Sequence, residues 1–186
     1  MEQLQMLKTD RRRESDALPA GYSFVTHSDA YIPDWIRLIT EGIGPGWTEE
    51  HFRTNMTGRE GIMPEGIFYI VHNNSDVVAT ATGIIEKDKT GFLHMVSVDK
   101  NHRGLGLSAP LSACAINYMY DNKMENIKLT TDDFRIPAIK TYLKLGFIPV
   151  FSDETMPGRW KDFAAKNGIG KLPAIENGVL VENILS

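Results

Sequence analysis

The residues of this chain best suited to chemistry lie in one stretch, residues 96–116, reading V-S-V-D-K-N-H-R-G-L-G-L-S-A-P-L-S-A-C-A-I. An apolar strand enters a turn holding Arg103, Gly104 and Gly106, and a small-residue helix follows. The two glycines let the backbone come close to a ligand, and the first amides of a helix lack internal acceptors. Those amides and the positive end of the helix dipole suit an anion, by about 0.3–1 kcal/mol per exposed charge. The stretch reads as a phosphate cradle. Groups able to move protons flank it in sequence, with Glu86 and His94 before it and the Asp132-Asp133 pair after it.

What must position these groups is an ordinary globular domain. The chain has 186 residues, 42% of them hydrophobic, enough for a sizeable core. No apolar run is long enough to cross a bilayer, and the first residues lack the apolar core of a signal peptide. The single cysteine, Cys114, excludes an internal disulfide framework and fits a reducing, cytoplasmic compartment. A formal charge of −4 argues against general nucleic-acid binding and is compatible with a cationic substrate. His27, His51, His72 and His102 show no ligand spacing with Cys114 or with each other, so no metal site is expected. Cys114 itself, among small residues on a helix, reads as core.

Residues 1–19 are polar and basic and read as a solvated tail or a short edge segment. A first strand spans residues 21–27. A helix over residues 30–41 carries Trp35, Ile36 and Ile39 at helical spacing, and Thr48 caps a second helix over residues 49–56. Strands over 67–72, 77–86 and 92–98 have short connections and predict an antiparallel meander. A helix over residues 105–122 follows the glycine turn, its apolar face including Leu107, Leu111, Ala115 and Met119. It tolerates Pro110 only in its first turns. A strand over 126–131 is expected parallel to the 92–98 strand after this crossover. Then come a helix over 136–145 ended by Gly146, a strand over 147–151 and a short helix over 156–167. Residues 20–168 are thus the domain, and residues 169–186 form a C-terminal tail with a hairpin signal at Asn177-Gly178.

At this point the sequence resembles the GNAT acetyltransferase superfamily. The family signature of arginine or glutamine, two residues, glycine, one residue and glycine or alanine corresponds to Arg103-Gly104-Leu105-Gly106-Leu107-Ser108, preceded by V-x-V-D at residues 96–99. A second segment, Ala138-Ile139-Lys140-Thr141-Tyr142-Leu143-Lys144-Leu145-Gly146-Phe147, is similar to the family's A-x-x-x-Y-x-x-x-G-F helix. The resemblance covers residues 21–151. It implies an α/β fold with a mixed, mostly antiparallel central sheet flanked by helices, opening in a V between two parallel strands for acetyl-CoA. It also implies N-acetyl transfer from that cosubstrate to an amine of a small molecule or peptide. A Rossmann-type nucleotide site is excluded by topology, because the glycine turn follows a meander rather than opening a βαβ unit.

By the same resemblance, the backbone of Val96, Ser97 and Val98 pairs with the pantetheine arm. The amides from Arg103 through Gly104, Leu105, Gly106 and Leu107 to Ser108 hold the pyrophosphate. Ser108 stands where glycine or alanine is usual, and its hydroxyl can help a phosphate. Arg135 stands where many members carry an asparagine that contacts the cofactor, and an arginine there can reach a CoA phosphate. Tyr142 is the candidate general acid for the departing thiolate, since a phenol is protonated at neutral pH. His94 is the second catalytic candidate. Strand alternation puts it on one face with Val96 and Val98, where it could take the ammonium proton, with Glu86 as competing base. The Asp132-Asp133 pair reads as a helix cap. Tyr31, Trp35, Glu41 and Trp47 read either as an acceptor-binding aromatic and acidic surface or, for the tryptophans, as core. A homodimer is an open expectation, and the reading from another class is a non-catalytic acyl-CoA-binding or protein-interaction module.

Overall fold

The computed structural model describes residues 2–185. Strand β1 (Leu4–Lys8) and strand β2 (Tyr22–Thr26) precede two helices, α1 (Ile32–Gly42) and α2 (Glu49–Phe52). Strands β3 (Ile67–His72), β4 (Asp76–Ile85) and β5 (Thr90–Val98) lead to α3 (Ser108–Asp121). Then β6 (Asn126–Thr131), α4 (Ile136–Lys144), β7 (Ile148–Phe151) and α5 (Met156–Lys166) alternate, before β8 (Ala174–Glu176) and β9 (Val179–Val181). The fold is mixed α/β, with mostly antiparallel strands flanked by helices. Two compact units make up the chain, one of residues 11–127 and one of residues 1–10 with 128–186.

In the unit of residues 11–127, β2, β3, β4 and β5 pair antiparallel in sequence order. One face is covered by α1, whose Ile32, Trp35, Leu38 and Ile39 recur at helical spacing and cluster with Phe52, Met56, Tyr69 and Ile84. Each such side chain fully buried contributes about 1.5–3 kcal/mol. Helix α3 covers the other face with Leu111, Ala115 and Met119, and Leu107 just before it is buried too. It lies so close that a Cβ at Gly91 would meet the Met119 sulfur at 2.5 Å. Pro110 occupies the third position of α3, where it has no helical hydrogen bond to break. Thr48 caps α2 by accepting from the His51 amide, and the chain then continues as a π-helical turn over Arg53–Thr57.

In the other unit the strand order is β6-β1-β7-β8-β9. Strand β1 corrects the reading of the first residues as a solvated tail or an edge segment. Leu4, Met6 and Lys8 alternate inward and are buried, and β1 pairs with β7 from Gln5↔Val150 to Leu7↔Ile148. The buried Lys8 ammonium is offset by Asp10 at 2.6 Å. Gly146 ends the region of α4 with φ +84, and a Cβ there would crowd Asp10 and Lys8 at 3.0 and 3.1 Å. Asn177 and Gly178, both left-handed, join β8 to β9 as a hairpin.

Candidate functional site

Strand β5 departs from regular alternation at its centre. Thr82 pairs with His94 and Thr80 pairs with Ser97, so Met95 and Val96 stand opposite the single residue Ala81. Met95 takes the left-handed conformation at φ +51, which makes this a β-bulge. The extra residue reverses the facing expected from the sequence. Thr80 and Thr82 are two apart and share a face, so their partners Ser97 and His94 share it too. Val96 and Val98 therefore lie on the opposite face from His94. The Ser97 hydroxyl confirms the direction by donating to the Leu38 carbonyl of α1 at 2.7 Å.

His94 is half-buried, with its ring centroid 5.0 Å from that of Phe92. Burial, aided by the positive charge of Arg59, pushes its pKa down to about 4. The imidazole is neutral at neutral pH. The Thr82 hydroxyl, opposite it in the ladder, is buried without a hydrogen-bond partner. Glu86 follows the end of β4 and is half-buried.

The end of β5 is gripped by α1. A Cβ at Gly42 would lie 2.2 Å from the Ser97 hydroxyl, so only glycine permits this approach. Arg37 donates to the Asp99 carboxylate and to the Val77 carbonyl, both at 2.6 Å. Asp99 in turn caps a short 3-10 turn, Lys100–His102, by accepting from the Asn101 amide at 2.9 Å. Burial alone would raise the Asp99 pKa, but the Asn101 amide and the Arg37 guanidinium outweigh it and hold the pKa below its ordinary value. Glu41 of α1 accepts from the Lys100 amide at 3.1 Å and lies 4.0 Å from Arg103.

Beyond this anchor the glycine turn stands open. Gly104 and Gly106 have φ of +78 and +77, and a Cβ at either would meet nothing within 4 Å. Arg103, Gly104, Leu105 and Gly106 are exposed, and Arg103 donates to the Val98 carbonyl at 3.0 Å. Helix α3 begins at Ser108, three residues later than the sequence suggested, because the turn uses Leu105 and Gly106. Its N-cap residue is Leu107, which makes no side-chain capping hydrogen bond. The bulged strand, the open two-glycine turn and the N-terminus of α3 follow one another directly, and helix N-termini of this kind suit anions.

In the other unit, Tyr142 of α4 is buried, edge-on to Phe147 at 6.0 Å. Burial pushes its phenol up to about 12, against the opposing charge of Arg135. It is protonated throughout the physiological range. Arg135 precedes α4, donates to Asp132 at 2.8 Å and lies over the Phe134 ring at 5.1 Å. The Asp132-Asp133 pair does not cap α4 with its side chains, as the sequence suggested. Asp132 takes hydrogen bonds from Arg135 and Gln3, and Asp133 takes them from Arg159 of α5.

Among the other sequence candidates, Trp35 is core, edge-on to Trp47 at 5.3 Å and to Phe52 at 4.9 Å. Tyr31 packs on Tyr69 at 5.3 Å. Glu41 is committed to the glycine turn. Cys114 is half-buried rather than core, and burial pushes its thiol up to about 11. Among the described residues, no group of three or more His, Cys, Asp or Glu is placed to hold a metal ion. No helix among them is long and apolar enough to cross a membrane. Sequence reading missed the bulge at Met95 and the Arg37–Asp99 pair. The first leaves no mark in H-M-V-S, and the second joins residues 62 apart that no local pattern links.

Residues 30–147, well over half of the chain, match the family described as acetyltransferase (GNAT). The chain belongs to this family. A mycothiol acetyltransferase from Tsukamurella paurometabola is 26% identical over 117 residues, covering 55% of this chain and 38% of the relative. The chain thus matches well under half the length of that relative. A GCN5-related N-acetyltransferase from Sphaerobacter thermophilus shares the fold with a TM-score of 0.65 and 22% identity, over 80% of this chain and 49% of that one. The NatC complex, in a structure with Gag peptide and CoA, shares it with a TM-score of 0.60 and 19% identity, over 68% and 84% of the two chains.

Proposed function

We propose that this chain transfers an acetyl group from acetyl-CoA to an amine of a small molecule or peptide, by direct attack of the amine on the thioester. The observation that carries the reading is the join of the bulged β5 to an open two-glycine turn and the N-terminus of α3. The family assignment and the CoA in the NatC structure support it. Acetyl-CoA supplies the activated thioester.

The chain's own residues bind, orient and move protons. Backbone groups of Val96, Ser97 and Val98 take the pantetheine arm as an added strand. One amide there donates to the thioester oxygen as negative charge develops on it. Amides from Arg103 to Ser108 receive the pyrophosphate, and the open space at both glycines fits this role. Tyr142, with its pKa near 12, keeps its proton until a thiolate needs it. Arg135 shares its charge between Asp132 and a CoA phosphate. His94, neutral and half-buried, accepts the amine proton directly or through water, with Glu86 as the competing base. No metal has a part in these steps. The protein works in the cytoplasm, as a monomer or homodimer, without nucleic acid or membrane as partner.

The test is an acetyl-CoA consumption assay across small amines, amino acids, aminoglycosides and peptide N-termini. Turnover with at least one acceptor is expected. Silence throughout, with CoA still bound, would replace the reading with a non-catalytic acyl-CoA-binding module.

A further inference from the structure

Arg59 is an exposed cation. Arg12, Arg13, Arg37, Arg53 and Arg103 each have a carboxylate within 4.0 Å, whereas Arg59 has none among the described residues. Its neighbour Glu60 is taken by Lys87 at 2.7 Å. The guanidinium instead lies over the Phe92 ring, 5.9 Å from its centroid, and Phe92 is the ring neighbour of His94. The segment that presents it is held at both ends. The Arg59 amide donates to Met56 and its carbonyl accepts from Ile62, both at 3.1 Å, while the Gly61 carbonyl accepts from the Ile85 amide of β4 at 2.8 Å. Gly61 has φ +84, and a Cβ there would lie 2.3 Å from the Ile85 carbonyl, so this docking requires glycine. An exposed guanidinium with no carboxylate within 4.0 Å among the described residues therefore lies over Phe92, the ring neighbour of the imidazole proposed to take the amine proton.

We infer that Arg59 is a specificity-determining residue that receives a carboxylate carried by the acceptor, placing the acceptor's amine toward His94. The inference rests on the acetyl-transfer reading and names the acceptor class within it: amines that bear a nearby carboxylate. A planar guanidinium with open donors binds a carboxylate with two parallel hydrogen bonds. The Thr82 hydroxyl and the His94 ring add polar character to the same face of the sheet. A free cation beside the reacting amine would repel a bare ammonium substrate, and a carboxylate on the acceptor removes that repulsion.

The experiment has two arms, both on the full chain. In the first, kcat/KM is compared for amino acids and the corresponding amino-acid amides, which differ by one negative charge. The native chain is expected to favour the acids by about tenfold or more, the range of a charge-assisted pair. In Arg59→Gln the acid-to-amide ratio is expected to fall to about one, with Arg59→Lys between the two. No preference in the native chain, or the same preference in Arg59→Gln, overturns the inference. In the second arm, benzoate and benzamide are titrated without acetyl-CoA, read by the NMR signals of the His94 ring. A saturable benzoate shift that is lost in Arg59→Gln is expected. Its absence, or its survival in Arg59→Gln, overturns the inference. If no amine is acetylated in the first arm, it is the acetyl-transfer reading that fails, and the benzoate titration still decides the role of Arg59.

Discussion

The Arg37 guanidinium of α1 lies 2.6 Å from the Asp99 carboxylate, which closes β5 and caps the turn leading to Gly104. One helix thereby fixes both the strand and the glycine turn. Asp99→Asn is expected to lower stability by up to about 1 kcal/mol, the range for an exposed ion pair. It should also raise the KM for acetyl-CoA more than it lowers kcat. Denaturant unfolding and initial-rate kinetics check the two parts. Because the folded pKa of Asp99 is depressed, the unfolded chain takes up its proton first as pH falls. This stabilisation is present above the ordinary carboxylate pKa and lost below it, so the native and variant stabilities should converge in acid.

His94 gives a second pH-dependent contribution with the same sign. Its pKa of about 4 in the folded chain lies below the ordinary value of 6.5, so between these values the unfolded chain binds the extra proton. Stability is expected to rise with pH across that window and to level off above it. Removing the Arg59 charge should move the NMR-titrated pKa of His94 upward. An unchanged value would separate the two residues electrostatically.

Gly106 separates backbone strain from ligand space. In Gly106→Ala the φ of +77 costs about 1–2 kcal/mol, although the new methyl touches nothing within 4 Å. The same methyl would enter the space assigned to the pyrophosphate. A small loss of thermal stability with a larger loss of CoA affinity by calorimetry is the expected pair of results.

The parts of the site that sequence made legible are those marked by residue type. Gly104, Gly106 and Gly146 sit at positive φ, where glycine is the usual occupant, and Tyr142 lies in a helix that Gly146 closes. Met95 takes a positive φ with no such mark, and that one residue turned His94 to the face opposite Val96. The helix-cap reading of Asp132-Asp133 followed a local rule. The observed partner of Asp133 is Arg159, whose approach depends on tertiary structure. Strand β1 was hidden because one of its three inward residues is Lys8, whose burial depends on Asp10.

The most direct measurement of the central claim is the steady-state kinetics of Tyr142→Phe across a range of pH. The phenol, buried and titrating near 12, is expected to act as the acid, so kcat should fall by about a hundredfold or more while acetyl-CoA binding changes little. Native activity should show no loss near pH 10, where an ordinary tyrosine would give up its proton. Full activity of Tyr142→Phe at every pH would contradict the account.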